Sequence, residues 1–203
     1  MRRTTRNAAK TKQEIIEKSA PVFNINGYAG TKIQMLVEAT GYQAGGIYRH
    51  FKDKMILAKA VYQYNYETLI KRNFIVKEEL NPREKLLTAL KNYRSMALRP
   101  SIPGGCPILN TAIEVDDTDD EFRQLAQSSV DEIITILENI LEEGKRTGHF
   151  KPSIVSRKEA QYLFASVEGA IMVSRVTKNK QVFREIFDNA ILYFEDKIVV
   201  STQ

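Results

Sequence analysis

One short run of the chain, Gln43-Ala44-Gly45-Gly46-Ile47-Tyr48-Arg49-His50-Phe51, gathers side chains able to hydrogen-bond a nucleic-acid duplex. A glutamine amide can pair in two ways with adenine, so Gln43 is the main candidate for reading a base. Arg49 can reach guanine or a phosphate, and Tyr42, just ahead of the run, is a second base-reading candidate. Thr31, Lys32, Tyr48, His50 and Lys54 carry groups suited to phosphate oxygens, contacts that position a protein without reading sequence. Gly46, with Ala44 beside it, completes the candidate DNA-binding set.

These groups act together only if a helix presents them on one side. At the α-helical period Ala44, Ile47 and Phe51 share one arc, while Gln43, Gly46, Arg49 and His50 share the other, with Tyr48 at the edge. Upstream, Thr31 is expected to cap a helix on which Ile33, Leu36 and Val37 recur until Thr40-Gly41 stops it. Two short helices joined by a glycine-containing turn make a helix-turn-helix, whose second helix can lie in a major groove. A helix over about Lys12 to Asn26 should support them, burying Ile15, Ile16, Ala20 and Phe23, bent at Pro21 and stopped at Gly27. Ahead of it Arg2, Arg3, Arg6, Lys10 and Lys12 form a basic arm, expected to be flexible and able to follow phosphates or a minor groove.

Gly45 and Gly46 sharpen the reading, because each costs about 1 kcal/mol relative to alanine inside a helix. Their lack of side chains lets the backbone approach a neighbouring helix or DNA. The plain alternative is that Gln43–Gly46 is a loop between two core helices. A phosphate-binding nucleotide loop does not fit, since no Gly-Lys-Ser/Thr follows these glycines.

The stretch from Ile15 to Leu57 resembles the DNA-binding domain of the tetracycline-repressor family of bacterial regulators. The resemblance rests on Ile15, Ile16, Ala20 and Phe23, on Gly27-Tyr28 and Thr31, on Thr40-Gly41, and above all on GGIYRHFKDKMIL from Gly45 to Leu57. The spacing of Tyr48, Phe51 and Lys54 is its most specific part. Tyr42 stands where the family usually has a small apolar residue, and Gln43 where it has serine or threonine. A weaker likeness to some of these regulators covers GCPILNTAIE, from Gly105 to Glu114.

The resemblance implies phosphate contacts for Tyr48 and Lys54 in particular. It also implies a homodimer closed by the last two helices and a small apolar or aromatic effector held in a second domain. Tyr62, Tyr66, Tyr93, Met96, Cys106, Phe164, Glu168 and Met172 are the candidate effector-binding residues, each of a type equally at home in an ordinary core. The expected function is a ligand-responsive repressor, released from a pseudo-palindromic DNA operator whose half-sites lie about 34 Å apart.

Composition agrees with an all-α protein of two parts. A helix-turn-helix domain is expected over 1–53, and a larger helical effector-binding and dimerisation domain over 54–203. Residues 1–60 hold 11 Lys+Arg against 4 Asp+Glu, whereas the remainder holds 19 against 21, so the basic excess coincides with the helix-turn-helix. In the second part, Asp53 and Asn81-Pro82 open helices, and PSIPGGCPILN from Pro100 to Asn110 is an irregular connection before a short helix over 108–115. The acidic run Asp116–Glu121 reads as the start of a long helix and not as a metal site; that helix reaches Lys145, and Gly144, Gly148 and Pro152 mark its end. A helix from Ser156 carries a strip of small residues (Ala165, Ser166, Gly169, Ala170, Ser174), and a last helix spans about Lys180 to Val199.

No catalytic, metal or cofactor site is expected. The chain has two histidines and one cysteine, Cys106, and lacks nucleophile-elbow, metalloprotease and phosphate-loop motifs. Cys106 reads as a small buried hydrophobe in a reducing cytoplasm. No apolar run reaches the roughly 18 residues of a membrane span, and the first residues lack the apolar stretch of a secretory signal. The rival reading is a helical enzyme or ligand carrier whose basic end meets an acidic substrate or a membrane surface. It predicts turnover or anionic-lipid binding without sequence discrimination.

Overall fold

Apolar spacing of three and four residues recurs along most of the chain, and helix follows it. The computed structural model describes the backbone of residues 2–200 and the side chains of residues 8–200. Ten α-helices appear among the described residues: α1 (Arg2–Gly30), α2 (Ile33–Thr40), α3 (Ala44–His50), α4 (Lys54–Asn65), α5 (Arg72–Phe74), α6 (Pro82–Leu98), α7 (Pro107–Val115), α8 (Asp120–Arg146), α9 (Ser156–Val176) and α10 (Lys180–Tyr193). Short π-helical segments follow α4 (Tyr66–Lys71) and α10 (Phe194–Ile198). Among the described residues an isolated bridge between Phe150 and Val199 is the one piece of β pairing.

The chain packs as two units. One consists of the chain up to Leu69 together with Ser101–Ala126, and the other of Ile70–Pro100 with the chain from Gln127 on. Packing therefore does not divide at 53/54. Helices α4 and α7 both lie against α1, so apolar burial ties them to the helix-turn-helix.

In the first unit, Ile15 and Ala20 of α1, Leu36 of α2, Ile47 of α3 and Leu57 and Val61 of α4 are fully enclosed. Asn65 donates to the Ala20 carbonyl (3.3 Å), fastening the end of α4 to the middle of α1. Asp53 caps α4 by accepting the Ile56 N–H (2.8 Å). The structure changes several expectations here. Helix α1 runs on from Arg2, so the basic segment is helical and not a flexible arm; the side chains of Arg2, Arg3 and Arg6 lie outside the described residues, and Lys10 and Lys12 are exposed on α1. Its non-helical backbone falls at Gly27 (φ 71°, ψ 179°), not at Pro21. Thr31 does not cap α2, since Lys32 holds that position while Thr31 is buried and its Oγ1 donates to the Gly27 carbonyl (2.6 Å).

In the second unit, Asn81 and Glu84 form a reciprocal cap at the start of α6, with Pro82 in its first turn. Leu86, Ala89, Leu90 and Tyr93 of α6, Leu163 and Val167 of α9 and Phe183 and Phe187 of α10 are buried. The acidic run before α8, which belongs to the first unit, serves as a helix start: Asp119 accepts the Phe122 N–H (2.7 Å) and Asp120 pairs with Arg123 (2.7 Å). Helix α8 ends at Arg146, within one residue of the expected Lys145, and Gly144 lies in its last turns.

Candidate nucleic-acid interface

Helix α3 divides into two faces. Ile47 and Phe51 are buried, which anchors the helix, and Gln43, Gly45, Tyr48 and Arg49 are exposed on its other side. The turn before it is set by Gly41, whose left-handed backbone (φ 77°) ends α2 with its N–H on the Val37 carbonyl (2.9 Å). Gln43 occupies the N-cap of α3 in an extended conformation and makes no capping bond with its side chain. Among the described residues its amide has no hydrogen-bond partner. Arg49 and His50 sit in the last turn of α3, where the Arg49 guanidinium meets the negative end of the helix dipole. Among the described residues, Lys32, Arg49 and Lys52 form no ion pair, so their charge is not cancelled locally.

Among the described residues, packing does not require Gly45 or Gly46. A Cβ at Gly45 would have nothing within 4 Å, and one at Gly46 would meet Tyr42 Cβ at an ordinary 3.8 Å. Of the two reasons for their absence of side chains, approach by a neighbouring helix therefore drops out. Gly45→Ala and Gly46→Ala are each expected to stabilise the free protein by up to about 1 kcal/mol, through helix propensity. If a duplex packs on this surface, the same methyl groups weaken DNA binding. Thermal melting together with duplex titration checks both signs, and unchanged affinity in both variants would remove the glycines from the interface.

Three candidates are engaged inside the chain. The Tyr42 hydroxyl donates to Glu14 Oε2 (2.8 Å), a bond that, with partial burial and the carboxylate charge, holds its pKa above the usual tyrosine value. That hydroxyl points back to α1 and not towards a base. Thr31 is buried, which removes its hydroxyl from the surface expected to meet phosphates. Lys54 donates to the main-chain carbonyls of Tyr28 (2.8 Å) and Thr31 (3.0 Å) and stands 4.4 Å from the Tyr28 ring centroid. Two of its three N–H donors thus hold the corner between α1 and α2. Lys32, Ala44, Gly46, Tyr48, Arg49 and His50 remain exposed or half-exposed beside Gln43.

Sequence reasoning passed over the residues that hold this surface in place. Glu14 steadies Tyr42, Lys18 donates to the Thr40 carbonyl (3.1 Å) at the turn, and Glu114 accepts the N–H groups of Tyr28 and Ala29 (both 2.7 Å). Each partner is distant in sequence, so no local pattern could have announced them.

The effector candidates divide between the units. Tyr62, Tyr66 and Cys106 are buried in the first. In the second, Tyr93, Met96 and Phe164 are buried, and the Tyr93 hydroxyl donates to the carboxylate of the buried Glu168. Met172 is 44% exposed, an outward position on α9 at odds with a place in an enclosed pocket. Among the described residues no helix is long and apolar enough to cross a membrane.

Comparison with known proteins agrees with this geometry. Residues 15–61 match the family model described as bacterial regulatory proteins, tetR family, and residues 82–189 match the tetracyclin repressor-like C-terminal domain. A TetR transcriptional regulator from Chloroflexus aurantiacus is 31% identical, with a TM-score of 0.90 over 97% of this chain and 100% of that one. A TetR-family regulator from Cytophaga hutchinsonii is 33% identical, with a TM-score of 0.85 over 97% and 98% of the two chains. The transcriptional repressor DhaR of Mycobacterium sp. (strain GP1) is 24% identical over 192 residues, 95% of this chain and 94% of that protein. These relatives are regulators and not enzymes, which sets the enzyme reading aside. With both halves matched, the chain belongs to the TetR family and is a ligand-responsive, DNA-binding transcriptional regulator.

Proposed function

We propose that the protein is a cytoplasmic homodimeric repressor that inserts one α3 from each protomer into successive major grooves of a pseudo-palindromic operator. The observation carrying this reading is the division of α3, with Ile47 and Phe51 buried and Gln43, Gly45, Tyr48 and Arg49 exposed. Gln43 is assigned to base reading, with Arg49 as a second base or phosphate contact. Lys32, Tyr48, His50 and the third donor of Lys54 position the protein on phosphates. The functional division at 53/54 then separates the part that touches DNA from the part that senses and dimerises.

The dimer reading draws support from exposed apolar residues on the last two helices. Tyr162, Met172 and Val176 of α9 and Leu192 of α10 are uncovered, along with Ala165, and the half-buried Gly169 adds a second small residue that would let a partner helix approach. Repressor action follows the name of DhaR, which is described as a transcriptional repressor. A small apolar or aromatic effector, held among Tyr93, Met96, Phe164 and Glu168, would favour a spacing of the two α3 helices that no longer fits the operator.

Selection of duplexes from a random pool, followed by titration over single-base variants, tests the assignment. Gln43→Ala should relax preference at one position by about 1–3 kcal/mol and leave the others unchanged. Equal loss on every variant would take base reading away from Gln43.

A further inference from the structure

The weaker family likeness, Gly105 to Glu114, is left without a role by DNA contact, yet it is joined to α1 by a cluster of hydrogen bonds. At Gly27 the backbone leaves the helical path (φ 71°), and the next two N–H groups, of Tyr28 and Ala29, both donate to the Glu114 carboxylate at 2.7 Å. One turn earlier, Asn24 donates to the carbonyls of Pro103 (2.8 Å) and Gly105 (3.1 Å), while Asn110 donates to the Asn24 carbonyl (2.9 Å) and to that of Gly104 (2.9 Å). Two glycines stand where the surfaces touch. A Cβ on Gly27 would lie 2.6 Å from Glu114 Oε2, and one on Gly104 (φ 115°) would lie 2.5 Å from the Asn24 carbonyl oxygen. The cavity beside these groups measures about 20 Å³, room for a single water.

The corner from Gly27 to Thr31 is therefore gripped twice. Glu114 of α7 takes its N–H groups, and Lys54 of α4 takes its carbonyl oxygens. A carboxylate accepting N–H and an ammonium donating to C=O are the strong, charge-assisted kind of hydrogen bond. The corner leads directly into Lys32, α2 and α3. Its position thus sets where the recognition helix stands relative to α1.

We infer that Glu114, seconded by Asn24 and Asn110, is a positioning residue for DNA binding: α7 and the loop before it form a latch that holds the α1–α2 corner and, through it, α3. The segment 101–126 that carries the latch lies in sequence between the two stretches that build the second unit. A change of conformation in that unit therefore has a covalent route to the latch. The inference rests on the DNA-binding reading for its affinity readout and on backbone exchange for an independent one.

The test uses the full chain with Glu114→Gln and Asn110→Ala, both checked by circular dichroism and melting, and the duplex selected by the wild type. Glu114→Gln keeps the side chain's size but turns an N–H₂ group towards N–H donors. Operator affinity at 25 °C should fall about tenfold or more, the worth of one charge-assisted bond, in protein that is still folded. Hydrogen exchange at the Tyr28 and Ala29 amides should speed up by at least about tenfold, with core amides of α9 unchanged. Asn110→Ala should reproduce a smaller affinity loss if Glu114→Gln fails to fold. Folded variants with wild-type affinity, or corner amides that exchange at the wild-type rate, would overturn the latch. A wild type that selects no duplex would overturn the functional reading and leave the exchange result to decide the latch by itself.

Discussion

Lys54→Ala is expected to weaken binding to every duplex by roughly tenfold or more and to lower the melting temperature as well. The second effect follows from the two carbonyl oxygens, of Tyr28 and Thr31, that its ammonium holds at 2.8 and 3.0 Å. Hydrogen bonds to a charged group contribute about 1.5–3 kcal/mol each, and half-burial at the corner of the first unit limits how well water can replace them. The first effect has two sources. The corner that aims α3 loosens, and the donor left over for a phosphate is lost, so the salt dependence of binding should become shallower by about one counterion. Titrations between 50 and 200 mM salt, on the selected operator and a scrambled duplex, separate this from base reading, because both duplexes should lose the same factor. Lys54→Met, which keeps the stem without the donors, should behave like alanine. An unchanged melting temperature in both variants would refute the role at the corner.

Gly144→Ala should cost about 1–3 kcal/mol of stability, the range for forcing extra volume into a filled core. A methyl group there would stand 1.9 Å from Phe150 Cδ2, and the Phe150 ring is fully buried. Phe150 is fixed on several sides. Its N–H bonds the Gly144 carbonyl (3.1 Å), its ring meets Phe194 edge-on at 5.6 Å, and the adjacent Lys151 N–H bonds the Ile198 carbonyl (2.9 Å). Melting should drop by several degrees, while affinity for the operator, measured well below the melt, stays near the wild-type value. Trimming the ring in the double variant Gly144→Ala, Phe150→Leu should recover part of the loss. Equal melting of Gly144→Ala and wild type would contradict the contact.

Local pattern made the helix-turn-helix legible. The period of Ile47 and Phe51, the break at Thr40-Gly41 and the Asp53 cap all act over one or two turns, and each stands where expected. Gly144 shows the limit of such signals: a glycine late in a helical run marks the approaching end, but no local pattern shows that the Phe150 ring six residues on leaves no room for a side chain there. Thr31 misled for the same reason: a threonine before a helix looks like a cap, but burial turned its hydroxyl to Gly27. For the candidate site, exposure separated what residue type could not. Tyr42, Thr31 and Lys54 have the right chemistry for DNA and are engaged by Glu14, Gly27 and Tyr28, partners fixed by how α1 and α4 pack.

By itself, the order of residues determined that the chain is helical, that its second and third helices form a helix-turn-helix, and that positive charge collects around them. Those properties depend on hydrophobic period, caps and composition, all of which operate between near neighbours. Tertiary structure decided that α4 and α7 pack with the DNA-binding helices, that Lys54 and Glu114 grip one corner from opposite sides, and that Met172 faces outward. Glu114 reaches across 86 residues to Tyr28, a distance over which only the folded chain can choose partners.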